Sequence, residues 1–162
     1  MFQHITKIAI IKEPDMNTIE SLIVDRISEL LDLVQIDDFQ FEVEKKELLE
    51  ATAIRGKTGE RTCLIKAEVR ESNNAIYIPN IMLPLEMRHL GLGKRMIWLI
   101  FMVGEYYGYS VYLTMLTDSY KQRMLNRGAL PTAEYDVLQI VKSTNLHSEN
   151  DPNNDIYLKL PL

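Results

Sequence analysis

Residues 83–94 read Leu83-Pro84-Leu85-Glu86-Met87-Arg88-His89-Leu90-Gly91-Leu92-Gly93-Lys94. Upstream, Ala75 to Leu83 is apolar and β-branched and reads as a strand. Downstream, Lys94 to Val103 is apolar nearly all round, which is the pattern of a buried helix packed on a sheet. A strand therefore runs into a helix through a connection with two glycines. Free N–H groups at the helix start, together with the helix dipole, favour negative charge there. Glycine lets a ligand approach the backbone closely, and Arg88 and Lys94 add positive charge. Two phosphate-binding patterns do not fit. The dinucleotide pattern G-x-G-x-x-G needs glycine where Met96 stands. The P-loop needs glycine at Arg88 and Ser or Thr at Arg95. What remains is Arg-x-x-Gly-x-Gly at Arg88, Gly91 and Gly93.

Working outward, the turn Ser72-Asn73-Asn74 precedes this strand, and Thr62 to Val69 reads as its hairpin or meander partner. Pro79 removes a backbone donor inside the strand, which implies an edge, a bulge or a local splay. Gly108 ends the buried helix and Tyr109 to Met115 is a further strand. Ser119 to Arg127 is a short helix stopped by Gly128. Tyr135 to Val141 and Ile156 to Leu160 are the last strands, joined by the polar stretch from Ser143 to Asp155. Toward the N-terminus, Ile5 to Ile11 reads as an opening strand. Ile19, Leu22, Ile23, Ile27, Leu30, Leu31 and Val34 recur at helical spacing, so 18–34 is an amphipathic helix, with Asn17 and Glu20 as its capping box. Phe39, Phe41 and Val43 alternate as a short strand, and Lys45 to Ala53 is ambiguous, with a short helix as one reading. This order of strands and helices is a mixed α/β (α+β) layout around one central sheet.

The chain has 162 residues, which predicts one domain over residues 1–162. It is 46% hydrophobic and 25% charged, too apolar for disorder. The net charge of −5 argues against a non-specific nucleic-acid binder. That charge is unevenly distributed. Glu13 to Glu50 holds 12 acidic and 3 basic residues, whereas Pro84 to Leu130 holds 6 basic and 3 acidic. The basic window coincides with the Arg-x-x-Gly-x-Gly segment. A lone cysteine, Cys63, excludes an intrachain disulfide and reads as a small core residue. No metal-ligand spacing appears. The start lacks the layout of a signal peptide, and the longest apolar run, Met96 to Val103, falls short of the about 20 residues that span a bilayer. A cytoplasmic protein that does not cross a membrane is the expectation.

The segment resembles the coenzyme-A signature of the GNAT (Gcn5-related) N-acetyltransferases, Q/R-x-x-G-x-G/A between a strand and a helix. Ile81 and Leu83 match the alternating apolar pair at the strand's end. The strand from Tyr109 to Met115, the helix from Tyr120 ending at Gly128-Ala129, and the closing strand Asp155 to Leu160 match in order, so the resemblance covers roughly residues 60–162. It implies a mostly antiparallel central sheet flanked by helices, with splayed central strands forming an acyl-CoA slot. It implies acetyl-CoA as co-substrate and no metal. Backbone amides of His89, Leu90, Gly91, Leu92, Gly93 and Lys94, with Arg88, would hold the pyrophosphate. The Leu83 N–H would polarise the acetyl carbonyl and Leu85 would line the pantetheine arm. An amine acceptor would attack the thioester directly.

The chain also departs from the family. The family's usual proline three residues before the Arg is Leu85 here, with proline at Pro84. The tyrosine that often protonates the departing thiolate is replaced by Met124, and the frequent upstream asparagine by Thr117. Tyr120 lies one turn before Met124 on the same helix face, so it reads either as a packed tyrosine or as the acid. Glu68 and Glu71 could serve as general base through water, or could be solvated strand carboxylates. The acidic stretch 13–50 suits a cationic amine, either a small molecule or a protein amine. The leading reading is an N-acetyltransferase. The alternative is a catalytically degenerate GNAT-fold protein that binds coenzyme A or a protein partner without turnover. A homodimer is compatible with the sequence, which does not fix the oligomeric state.

Overall fold

A computed structural model describes residues 18–34 and 36–147. The expected strands Ile5 to Ile11 and Ile156 to Leu160 lie outside the described residues, as does Asn17.

The first element is helix α1, Ile19–Leu33. Its N-cap is Thr18, one residue past the expected Asn17: the Ser21 N–H donates to Thr18 Oγ1 across 3.1 Å. Such a cap satisfies one of the orphan donors of the first turn. Ile19, Ile23, Val24, Ile27, Leu30 and Leu31 form its buried stripe. Four strands follow in a meander: β1 Phe39–Lys45, β2 Leu49–Arg55, β3 Arg61–Arg70 and β4 Ala75–Ile81. Each pairs antiparallel with the next.

The second strand corrects the short helix read across Lys45 to Ala53. Leu49, Ala51 and Ala53 are buried and recur at period two, against β1 on one side and β3 on the other. Alanine's helix preference yields to two-sided pairing, because tertiary context outweighs a weak local propensity.

The chain leaves β4 through a 3₁₀ segment, Leu85–Leu90, and enters helix α2, Leu92–Tyr107. It continues through β5 Ser110–Leu113, helix α3 Asp118–Asn126, β6 Leu130–Pro131 and β7 Leu138–Ile140. Among the described residues the sheet has seven strands in the order β1-β2-β3-β4-β5-β7-β6 and is antiparallel except for the β4–β5 pair. The molecule is thus a mixed α/β fold on one mostly antiparallel sheet. The strand expected from Tyr135 shrinks to Leu138–Ile140. Before it, Val137 N–H donates to the Glu134 carbonyl in a turn, and Tyr135 and Asp136 are exposed.

Helices α1 and α2 lie side by side on one sheet face. Ile23, Val24 and Ile27 of α1 meet Val43, Leu49, Ala51, Ile65 and Ala67 of the sheet. In α2, Met96, Ile97, Ile100 and Val103 are fully buried, each such side chain contributing about 1.5–3 kcal/mol. Gly104 lets α2 sit close to the sheet: a Cβ there would stand 3.0 Å from Val111 Cγ2 and 3.3 Å from Ile76 Cδ1. This close seat fixes where α2 begins, and the candidate site lies at that beginning.

Candidate functional site: a cationic cleft where two parallel strands part

Strands β4 and β5 run parallel through four paired positions, from Ala75↔Ser110 to Ile78↔Leu113. The Thr114 N–H then donates to the Ile78 carbonyl across 3.1 Å. Pro79 follows at once. Lys66 pairs with Asn80 and Glu68 with Tyr77, so Ala67 faces both Ile78 and Pro79, a bulge at the proline. Beyond this point the strands part, and a cleft of about 640 Å³ opens between them. One wall is Asn80 to Leu83 and the start of α2. The other is Thr114 to Thr117 and the facing side of α3, namely Tyr120, Arg123, Met124 and Arg127.

The segment 83–94 forms the first wall. Gly91 adopts a left-handed conformation, φ 71° and ψ 16°, and serves as the N-cap of α2. That conformation costs a residue with a Cβ roughly 1–2 kcal/mol, so glycine belongs there. The first intrahelical bond runs from the Arg95 N–H to the Gly91 carbonyl, and no side chain caps the helix. The amides of Leu92, Gly93 and Lys94 are therefore the orphan donors of the first turn, and all three residues line the cleft. Gly93 packs against β4: a Cβ there would meet Ile81 Cγ2 at 3.4 Å and Leu83 Cδ1 at 3.7 Å. Leu83 lies in the wall. Its carbonyl accepts from Arg88 Nε across 3.0 Å, and its N–H donates to nothing among the described residues.

Charge in the cleft has one sign. Arg88, Lys94, Arg123 and Arg127 line it, and among the described residues no Asp, Glu or His does. Burial and the charges of Arg127 and Arg123 hold the Lys94 ammonium below its ordinary pKa.

The opposite wall depends on α3. Thr117 caps that helix, accepting the Tyr120 N–H on its side-chain oxygen at 3.4 Å. Tyr120 is half-buried, and burial pushes its phenol above the ordinary tyrosine value. The Arg123 guanidinium lies 5.2 Å from the centre of the Tyr120 ring. The phenol oxygen makes no hydrogen bond among the described residues. Met124 is 1% exposed and lines the cleft one turn further on. Gly128, at φ +98°, closes the helix.

The cleft therefore gathers Leu83, Arg88, Gly91, Leu92, Gly93, Lys94, Thr117 and Tyr120 from the sequence-predicted set. It does not gather the others. Leu85 projects into solvent, 73% exposed, and His89 and Leu90 sit beside it on the 3₁₀ segment, outside the cleft wall. Glu68 lies on β3 opposite Tyr77 and is tied to Arg70, whose Nε and Nη2 donate to its carboxylate at 2.9 and 3.0 Å. That guanidinium holds the Glu68 carboxyl below the usual range, which suits an ion pair better than a base. Glu71 is exposed in the turn before β4. Cys63 is half-buried, its thiol pushed up by burial.

Sequence reasoning missed Arg123 and Arg127. The signal was available: Tyr120, Arg123, Met124 and Arg127 share the three- and four-residue spacing of one helix face. Among the described residues, no group of three or more His, Cys, Asp or Glu side chains is placed to hold a metal ion. None of the described helices is long and apolar enough to cross a membrane. No family model matches the chain, and no curated protein matches it.

Proposed function

We propose that the cleft binds acetyl-CoA and that the protein transfers the acetyl group to an amine by direct attack, as in the GNAT N-acetyltransferases whose signature residues 83–94 resemble. One observation carries this reading. Among the described residues, the cleft between β4 and β5 joins uncapped helix amides, four cations and no carboxylate in one wall system. A ligand with phosphates at one end and an extended uncharged arm fits such a slot. The amides of Leu92, Gly93 and Lys94 would hold the pyrophosphate with Arg88 alongside. The arm would run between the parted strands toward Leu83.

Acetyl-CoA supplies an activated thioester. The amine nitrogen bonds to the carbonyl carbon, the carbon–sulfur bond breaks, the nitrogen loses a proton and the thiolate gains one. The free Leu83 N–H would stabilise charge that builds on the carbonyl oxygen. Tyr120, kept protonated by burial, would give the sulfur its proton. Among the described residues the wall offers no carboxylate or imidazole as base, so the acceptor would enter as the neutral amine. Most of the rate would come from positioning. The acidic N-terminal half suits a cationic acceptor, whether a small polyamine-like molecule or a protein amine, and the chain would act as one domain in the cytoplasm.

Met124 favours a second reading. It is fully buried in the cleft at the position where the family often keeps its acid, and a thioether donates no proton. A protein that holds coenzyme A without turnover would tolerate it. Thiol release from acetyl-CoA over a panel of amines separates the two. Amine-dependent release supports the transferase, and binding with no release above background supports the binder.

A further inference from the structure

The three cations Lys94, Arg123 and Arg127 meet from two different helices. Lys94 lies in the first turn of α2, and Arg123 and Arg127 lie one turn apart on α3. All three line the cleft, and the Lys94 ammonium is held below its ordinary pKa by burial first and then by the charges of Arg127 and Arg123. Like charges brought together cost free energy unless something offsets them. Among the described residues, nothing acidic does. Arg123 lies over the Tyr120 ring, and Arg127 donates through Nη1 to the carbonyls of Asn145 and His147 at 3.1 and 3.2 Å. Among the described residues neither has a carboxylate partner, although the chain as a whole is acidic.

The helix amides and Arg88 match a pyrophosphate, so the two α3 arginines add cleft charge beyond what that group needs. A pyrophosphate bridge carries about two negative charges, and a phosphomonoester about 1.5 to 2 more. Four wall cations thus match a ligand that has both groups and exceed one that has the bridge alone. Arginine's planar fork suits a terminal phosphate, and Lys94 adds a point charge beside it.

We infer that Arg123 and Arg127, with Lys94, form a second anion subsite that reads the terminal 3′-phosphate of coenzyme A. The inference rests on the coenzyme-A reading of the cleft. It makes the protein selective for free coenzyme A over dephospho-coenzyme A and over a phosphopantetheine arm on a carrier.

The test is calorimetric titration of the full chain with coenzyme A and with dephospho-coenzyme A, in the wild type and in Arg123→Ala and Arg127→Ala. Arg123 is exposed and holds no other element in place, so its variant folds; Arg127→Ala checks the same subsite through its second arginine. The expected result is roughly tenfold tighter binding of coenzyme A in the wild type. In Arg123→Ala that preference falls to within about twofold, because coenzyme A loses more affinity than dephospho-coenzyme A does. Equal wild-type affinity for the two ligands overturns the subsite and leaves the cleft's coenzyme-A reading intact. So does a preference that survives in both variants. Binding of neither ligand overturns the coenzyme-A reading itself, and the subsite with it.

Discussion

The Thr114 N–H donates to the Ile78 carbonyl across 3.1 Å, and beyond that bond β4 and β5 share no further pairing among the described residues. The bond sits at the apex of the cleft. Below it, Val111 and Ile76 lock the strands to α2 through the space left by Gly104. Above it, Pro79 and the bulge opposite Ala67 turn β4 away. A rigid sheet on one side of a single hydrogen bond and a slot on the other is the relationship from which the functional reading follows.

The two glycines of the α2 start are expected to behave differently. Gly91 has φ 71°, so Gly91→Ala should cost roughly 1–2 kcal/mol and twist the first-turn amides away from a phosphate. Gly93 is helical, and its added Cβ meets side-chain atoms at ordinary distances, so Gly93→Ala should leave stability within about 1 kcal/mol of wild type. Chemical denaturation of both variants checks the contrast. Equal losses would show that Gly91's conformation is not what the junction needs.

Tyr120→Phe removes the phenol without disturbing the packed ring. Turnover should fall by about 10²-fold, with coenzyme-A affinity unchanged. Stopped-time thiol release and a parallel titration measure the two quantities separately. Full activity in the variant would remove Tyr120 from the chemistry and leave proton delivery to solvent.

The pH profile follows from the same wall. Among the described residues no Asp, Glu or His lines the cleft, so the rising limb of kcat/KM should track deprotonation of the acceptor amine and move when the acceptor is changed. The protonated phenol is the active form of Tyr120, and its pKa is raised, so that form persists to higher pH than in an ordinary tyrosine. A falling limb set by Tyr120 should therefore lie at higher pH than an ordinary tyrosine would set it. A descending limb near pH 8, independent of acceptor, would point to a different acid.

Much of this was readable in the residues, for identifiable reasons. The junction 83–94 was legible because a near-continuous apolar helix and a β-branched strand frame two glycines and two cations. Helix α1 was legible from its three- and four-residue spacing. Leu49 to Arg55 was not, because Ala51 and Ala53 carry little strand signal and become a strand by pairing on both sides. Leu130–Pro131 is two residues long and ends in a proline, so it exists only through its pairing with Leu138 and Gln139. The cationic α3 wall was missed because Arg123 and Arg127 look like solvated helix charges until β5 places that helix across from Lys94.

Gly104 tests the seat of α2. Gly104→Ala gains up to about 1 kcal/mol of helix propensity. It also drives a Cβ to 3.0 Å from Val111 Cγ2 and 3.3 Å from the Tyr109 carbonyl oxygen, an overpacking cost of about 1–3 kcal/mol. A net loss of stability is expected, read as a lower thermal midpoint. A higher midpoint would mean that α2 moves away from the sheet freely.

The most direct test of the central claim is calorimetric titration of the full chain with acetyl-CoA at two salt concentrations. Binding in the cationic cleft predicts saturable heat at one site per chain, with affinity falling as salt rises because the wall cations supply much of the attraction. Absence of saturable heat at millimolar acetyl-CoA and low salt would contradict it.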